Sequence, residues 1–118
     1  MALAKLANDL RLLSSGPRTG LDELSLPAVQ AGSTMMPGKV NPVVPEYANQ
    51  ASLKIHRLDM TVVLALDAAQ LQLNAMLPVV AGAFFEAQEL LAGAATTLAD
   101  RCIASIELIQ DPPAPSAA

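Results

Sequence analysis

The sequence predicts an all-α fold built around a hairpin of two long helices. Three observations carry that prediction. Alanine (22 residues) and leucine (19) supply most of the hydrophobicity of a 118-residue chain whose aromatic content is 3%, and both are strong helix formers. Apolar residues recur at steps of three and four over two stretches of more than twenty residues, the period of a helix face. Five prolines and four glycines fall between Ser14 and Pro45, so the only long break in periodicity lies ahead of the hairpin.

The elements follow in order. Residues 2–13 read as a short helix, with Leu3, Leu6, Leu10 and Leu13 on one face and Ser14-Ser15-Gly16-Pro17 as its stop. Residues 14–45 form a connection of about 30 residues where compact domains use ~4–6. A loop of that length is functional or disordered, and Met35, Met36, Val40, Val43 and Val44 make its second half too apolar for a plain solvated linker. We expect a partly ordered functional loop. From Glu46 to about Leu73 the seam Tyr47, Ala51, Ile55, Leu58, Val62, Leu66, Ala69, Leu73 marks one helix. A break is expected from Asn74 to Pro78, because proline removes a backbone donor. A second helix then carries Val80, Phe84, Ala87, Leu91, Ala94, Leu98, Cys102 and Ile106. Each long helix would measure ~40 Å, more than the ~26–28 Å diameter of a compact globule of this length, so spare apolar faces predict a homo-oligomer. Residues 107–118 are expected to be a proline-rich, disordered tail.

Composition excludes several function classes. The formal net charge is −4 and there is no basic run, so nucleic acid is not an expected partner. The longest uncharged stretch, Ala68 to Phe85, contains Gln70, Gln72, Asn74 and Pro78, which argues against a membrane span. The N-terminal residues lack the pattern of a secretory signal. A single cysteine cannot make an internal disulfide, nor can one cysteine and one histidine supply a protein-only zinc site, and a reducing, cytoplasmic setting is expected.

Chemistry is concentrated in Gly32-Ser33-Thr34-Met35-Met36-Pro37-Gly38-Lys39-Val40-Asn41-Pro42. Lys39 offers a cation, Asn41 an amide donor, and the backbone beside Gly32 and Gly38 further donors, a set that can bind a carboxylate and stabilise charge growing on oxygen. The same residues admit a plainer reading. Asn41 would cap the next helix with Pro42 at its first position, Lys39 would face solvent, and Ser33 and Thr34 would make turn hydrogen bonds.

The string Gly-Ser-x-x-Met-x-x-Lys-x-Asn at 32–41 resembles the signature of the fumarase/aspartase superfamily, lyases that eliminate across a carbon–carbon bond to give fumarate. The resemblance extends upstream through Asn8-Asp9-Leu10-Arg11-Leu12-Leu13-Ser14-Ser15-Gly16-Pro17-Arg18 and downstream through Gln70-Leu71-Gln72-Leu73-Asn74-Ala75-Met76 to Leu98-Ala99-Asp100-Arg101-Cys102-Ile103. Gln70-Leu71-Gln72-Leu73-Asn74 looks more like the aspartate ammonia-lyase branch than the class II fumarase branch. The implied fold is a long-helix hairpin from the family's central helical bundle, with residues 1–106 a partial bundle domain and 14–45 its signature loop. The implied reaction is reversible anti-elimination of ammonia from L-aspartate, on a small dicarboxylate or amino-acid substrate and without a cofactor. By match, Ser33 is the general base, Thr34, Lys39 and Asn41 bind the substrate, and Gly32, Met36 and Gly38 are motif or hinge positions.

The resemblance also implies what the chain must borrow. Family sites are assembled from segments of three subunits of a homotetramer, and this chain holds one such segment, so complementing lyase subunits are the expected partners and the chain alone is expected to be inactive. A truncated, split or internally initiated chain is the corresponding expectation, and a non-catalytic helical oligomerisation module is the alternative from another class. Arg57-Leu58 stand where the family usually has Gly-Asn. His56, mid-helix, matches no family catalytic position and reads as structural or solvent-facing. Cys102, on the apolar seam, reads as a buried thiol, and Glu86 with Glu89 as a solvated face.

Overall fold

The computed structural model describes residues 2–30, 32, 35, 36 and 38–110. Helix α1 spans Ala2–Leu13, strand β1 Leu24–Ser25, helix α2 Val43–Asp67 and helix α3 Leu77–Arg101. A 3-10 turn at Ile103–Ser105 leads into strand β2, Glu107–Leu108. The fold is mostly helical, as predicted.

The long helices run antiparallel. Near one end the Tyr47 hydroxyl lies against Gly93; further along, Lys54 Nζ pairs with Glu86 Oε1 at 2.6 Å; at the other end Ala65 and Ala68 share a small cavity with Met76 and Val79. Apart from Leu58, the residues buried along the middle of this hairpin are small. Ala48, Ala51, Ser52 and Ala65 are buried on α2, and Ala83 and Ala94 on α3, which lets the backbones approach closely while larger side chains turn outward. Ala51, Leu58, Ala94, Leu98 and Cys102 of the predicted seam are buried, whereas Tyr47, Leu66 and Phe84 are exposed and the neighbouring Ala48, Ala65 and Ala83 are inside instead.

The break between the long helices also comes earlier than predicted. Helix α2 stops at Asp67 rather than near Leu73, because Asn74 supplies an alternative end. Its side-chain amide donates to the Ala65 carbonyl at 3.1 Å, satisfying one of the carbonyls that a helix terminus leaves unpaired. Its side-chain oxygen accepts from the Met76 N–H at 2.8 Å, and Gln70 and Leu73 exchange two backbone hydrogen bonds in a tight turn. Pro78 then falls in the first turn of α3, where its missing donor costs nothing.

The main core lies at the opposite end, where α1 packs onto the start of α2 and the end of α3. Ala7, Leu10, Val44, Ala48, Leu98 and Cys102 form it, with Leu3, Leu24, Leu26 and Ile106 packed around them. An Asn49–Asn8 amide hydrogen bond of 2.9 Å ties α2 to α1 at its edge. Strands β1 and β2 pair antiparallel with Leu24 opposite Leu108 and Ser25 opposite Glu107, and the Ile109 N–H adds a bond to the Glu23 carbonyl at 3.1 Å. Residues 107–109, expected in the tail, are thus held by the loop that follows α1. The packing of Leu24, Leu26 and Ile106 on the core brings the two segments together. Residues 111–118, the rest of the expected tail, lie outside the described residues.

The molecule is a rod of 63 × 28 × 28 Å with a radius of gyration of 19.3 Å, against ~13–14 Å for a compact chain of this length. Leu53, Met60, Leu64, Phe84 and Phe85 are all more than half exposed, and so much outward apolar surface is unusual for a monomer. Among the described residues no helix is long and apolar enough to cross a membrane.

The ion pair across the hairpin gives the fold an acid limit. The Lys54 hydrogen bond holds the Glu86 carboxyl below its ordinary value of 4.5, desolvation opposes it, and the charges of Lys54 and Arg57 add to it. A depressed folded-state value means that the contribution is present above about 4.5 and is lost as pH falls through the lower folded value. Both side chains are substantially solvated, so the effect is small. Glu86→Gln is expected to reduce slightly the drop in melting temperature between about pH 6 and about pH 3; an unchanged drop in a calorimetric series would show that the pair contributes nothing.

Candidate functional site

The loop between α1 and α2 is folded back on the end of α1. Ser14 N–H continues the helix to the Leu10 carbonyl at 3.1 Å, while the Ser15 hydroxyl donates to the Leu12 carbonyl at 2.5 Å. The Asp22 N–H then donates to the Ser15 carbonyl at 2.7 Å and the Glu23 N–H to the Leu13 carbonyl at 2.9 Å. Four serine and main-chain groups thereby turn the chain through a short reversal and deliver it to β1, fixing one wall of a cavity.

The opposite wall is the signature segment. Lys39 N–H donates to the Met36 carbonyl at 3.2 Å, Val43 N–H to the Asn41 carbonyl at 2.8 Å, and Glu46 N–H to the Pro42 carbonyl at 3.0 Å as α2 begins. Gly38 has φ +83°, the left-handed region that disfavours a side chain. No side-chain hydrogen bond caps α2, and Pro42 occupies the cap position. The capping role considered for Asn41 is therefore not what the structure contains: its carbonyl, one residue further out, takes the turn's bond.

Between the two walls lies a cavity of ≈ 700 Å³ onto which Lys39, Asn41, Met36 and Gly38 open, together with Arg11, Ser14, Ser15 and Asp22. Lys39 is exposed and Asn41 half-buried. Gly32 is exposed and abuts the Lys39 carbonyl. Ser33 and Thr34 lie outside the described residues. Of the predicted site residues, the structure thus brings Lys39, Asn41, Met36 and Gly38 to one cavity. It adds Arg11 and the two serines of the reversal, which the sequence presented only as part of the upstream matching stretch and gave no chemical reason to single out. A cation and an amide donor that line one concave space are groups able to bind a carboxylate. The nearby Arg11 increases the positive character of that space and Asp22 opposes it.

The remaining candidates are elsewhere. His56 sits on α2, its Nδ1–H donating to the Ser52 carbonyl at 2.6 Å, and it does not line the cavity. Cys102 is buried, and desolvation pushes its thiol above the usual value, the opposite of what activates a nucleophile. Glu86 is engaged with Lys54, and no metal-binding group of three or more His, Cys, Asp or Glu side chains occurs among the described residues.

A protein-family model described as a lyase matches residues 1–56. Among curated proteins, the chain is 53% identical over 106 residues to an aspartate ammonia-lyase of Corynebacterium glutamicum, covering 90% of this chain and 20% of that one. It is 54% identical over 104 residues to an aspartate ammonia-lyase of Escherichia coli, covering 88% of this chain and 22% of the relative. Among solved structures, it superposes on a fumarate lyase:delta crystallin from Brucella melitensis with a TM-score of 0.85 at 54% identity, over 90% of this chain and 23% of that one. It also superposes on a class II fumarase from Schistosoma mansoni with a TM-score of 0.86 at 41% identity, over 91% and 22%. The chain spans about a fifth of the length of the curated relatives it matches.

Proposed function

The chain belongs to the fumarase/aspartase superfamily of lyases, and from that premise we propose that it contributes the base-bearing loop of an aspartate ammonia-lyase-type site completed by other polypeptides. The observation that carries this reading is the convergence of Lys39 and Asn41 on one cavity beside the matching Gly-Ser-x-x-Met-x-x-Lys-x-Asn string. The substrate is L-aspartate and the products are fumarate and ammonia, formed at an oligomeric, cytoplasmic enzyme. Residues 1–106 act as part of its helical bundle, with 14–45 as the signature loop.

In that site Ser33 Oγ, as the alkoxide, takes the proton from the carbon beside one carboxylate. Negative charge moves onto that carboxylate, and Lys39 and Asn41 with Thr34 stabilise it where it accumulates; the amine departs from the neighbouring carbon. Donors placed where charge develops act on the transition state more than on the bound substrate. Closure of the loop excludes water, which strengthens those interactions and helps keep the base deprotonated.

The experiment is complementation. This chain is mixed with a Corynebacterium glutamicum aspartate ammonia-lyase whose own signature-loop serine has been changed to alanine, and fumarate release from aspartate is followed. Activity in the mixture and in neither component alone is the expected outcome. Lys39→Ala in this chain is expected to lower kcat/KM of the mixture by about 10²–10³; an unaltered value would remove Lys39 from the site. A mixture that releases fumarate from malate instead would move the chain to the fumarase branch, a reading favoured by the superposition on the Schistosoma mansoni enzyme. A mixture inactive on both would leave a helical assembly module, for which the exposed Leu53, Met60, Leu64 and Phe85 speak.

A further inference from the structure

Six residues separate Gly32 from Lys39, yet their backbones touch. A Cβ placed on Gly32 would come within 1.6 Å of the Lys39 carbonyl oxygen and 2.7 Å of its carbonyl carbon. That is backbone against backbone, so no side-chain rotation could make room. The two glycines of the motif are required for opposite reasons. Gly38 has nothing within 4 Å of its Cβ position and is held by its φ of +83°, whereas the φ of Gly32 lies outside the left-handed region and only space demands glycine there.

The contact closes the segment into a loop with a neck. Ser33 is bonded to Gly32, and Asn41 follows Lys39 by two residues, so the groups read as base and carboxylate ligands are attached at the two sides of that neck rather than spread along an open strand. The Lys39 N–H bond to the Met36 carbonyl at 3.2 Å stiffens its far side. Resting on the function proposed above, we propose that Gly32 is a positioning residue: by admitting the Lys39 carbonyl against its own backbone it fixes the spacing between the Ser33 end and the Lys39–Asn41 end of the loop, so that both reach one substrate carboxylate together. A side chain at 32 pries the neck open and separates them.

The full chain is labelled for nuclear magnetic resonance, and contact between the Gly32 Hα and the Val40 amide proton is sought in the wild type, in Gly32→Ala and in Gly82→Ala. The last lies in α3 with nothing within 4 Å of its Cβ position and serves as the control. The cross-peak is expected in the wild type and Gly82→Ala and lost in Gly32→Ala, with the Lys39 and Val40 amide shifts displaced and the helical far-ultraviolet spectrum unchanged. Its absence from the wild type overturns the neck regardless of any activity. In the complementation mixture Gly32→Ala is expected to lower kcat/KM at least tenfold, mostly in kcat, with no recovery on raising the chain concentration. Recovery at high concentration would assign the loss to assembly, and full activity without the cross-peak would show that the neck positions nothing; either result overturns the proposal. Ser33→Ala in the same mixture tests the underlying catalytic reading separately.

Discussion

Replacing Ser33 by alanine is expected to lower fumarate formation by the complemented assembly about 10²–10⁴-fold, the usual contribution of a positioned general base, while leaving the affinity for succinate nearly unchanged. The split follows from the roles assigned to the loop. In the proposed mechanism Ser33 takes the proton and acts only once the carbon–hydrogen bond is breaking, whereas Lys39 and Asn41, which both line one cavity, engage the carboxylate before and during that step. A substitution at 33 should therefore fall on kcat and one at 39 on both kcat and KM. Equal activity of Ser33→Ala and wild-type mixtures would take the proton-transfer role away from this residue and leave the loop as a binding element alone.

The second large effect is on stability. Leu98 is 2% exposed and sits in the cluster formed by Ala7, Leu10, Val44, Ala48 and Cys102, where α1, α2 and α3 meet. Leu98→Ala is expected to cost about 2–5 kcal/mol, because the removed methyl groups lose their burial and their neighbours cannot collapse fully into the space. That is a large fraction of the ~5–15 kcal/mol typical of a domain. The site should suffer too, since the same core supports Leu24 and Leu26, which also line the cavity. Urea unfolding with both variants in the same assembly state checks the value; a cost below about 1 kcal/mol would mean that this end of the rod does not hold the fold together.

The hairpin was legible because leucine and alanine recur with helical period over two long stretches, and short-range periodicity is set by the chain itself. Which side of each helix turns inward was less so. Ala51, Leu58, Ala94, Leu98 and Cys102 of the predicted seam are buried, yet Tyr47, Leu66 and Phe84 are exposed and their neighbours Ala48, Ala65 and Ala83 lie inside, since two helices packed over alanine come closer than two packed over bulky side chains. The full apolar seam becomes useful only against further helices, in keeping with the assembly proposed for the chain. The early end of α2 depended on one tertiary contact, the Asn74 amide on the Ala65 carbonyl, which no local pattern announces. The β1–β2 pairing was equally hidden, because two-residue strands joined across more than eighty residues leave no alternation to read.

For the site, the motif at 32–41 was conspicuous, and its match is the basis of the roles proposed for Lys39 and Asn41. Sequence spacing could not tell whether the two lie on one cavity, and the structure places both on its lining. Arg11 was obscured by its place in an ordinary amphipathic helix, where a terminal arginine also suits the helix dipole. Its position on the cavity depends on the reversal at Ser14–Glu23, built from main-chain bonds.

The most direct measurement is a crystal of the complemented assembly grown with succinate, a dicarboxylate that lacks the amine and cannot eliminate. The account predicts one carboxylate within hydrogen-bond distance of Lys39 Nζ and the Asn41 amide, with the adjoining carbon facing Ser33 Oγ. Succinate bound elsewhere in the assembly, with that cavity occupied by solvent alone, would contradict it.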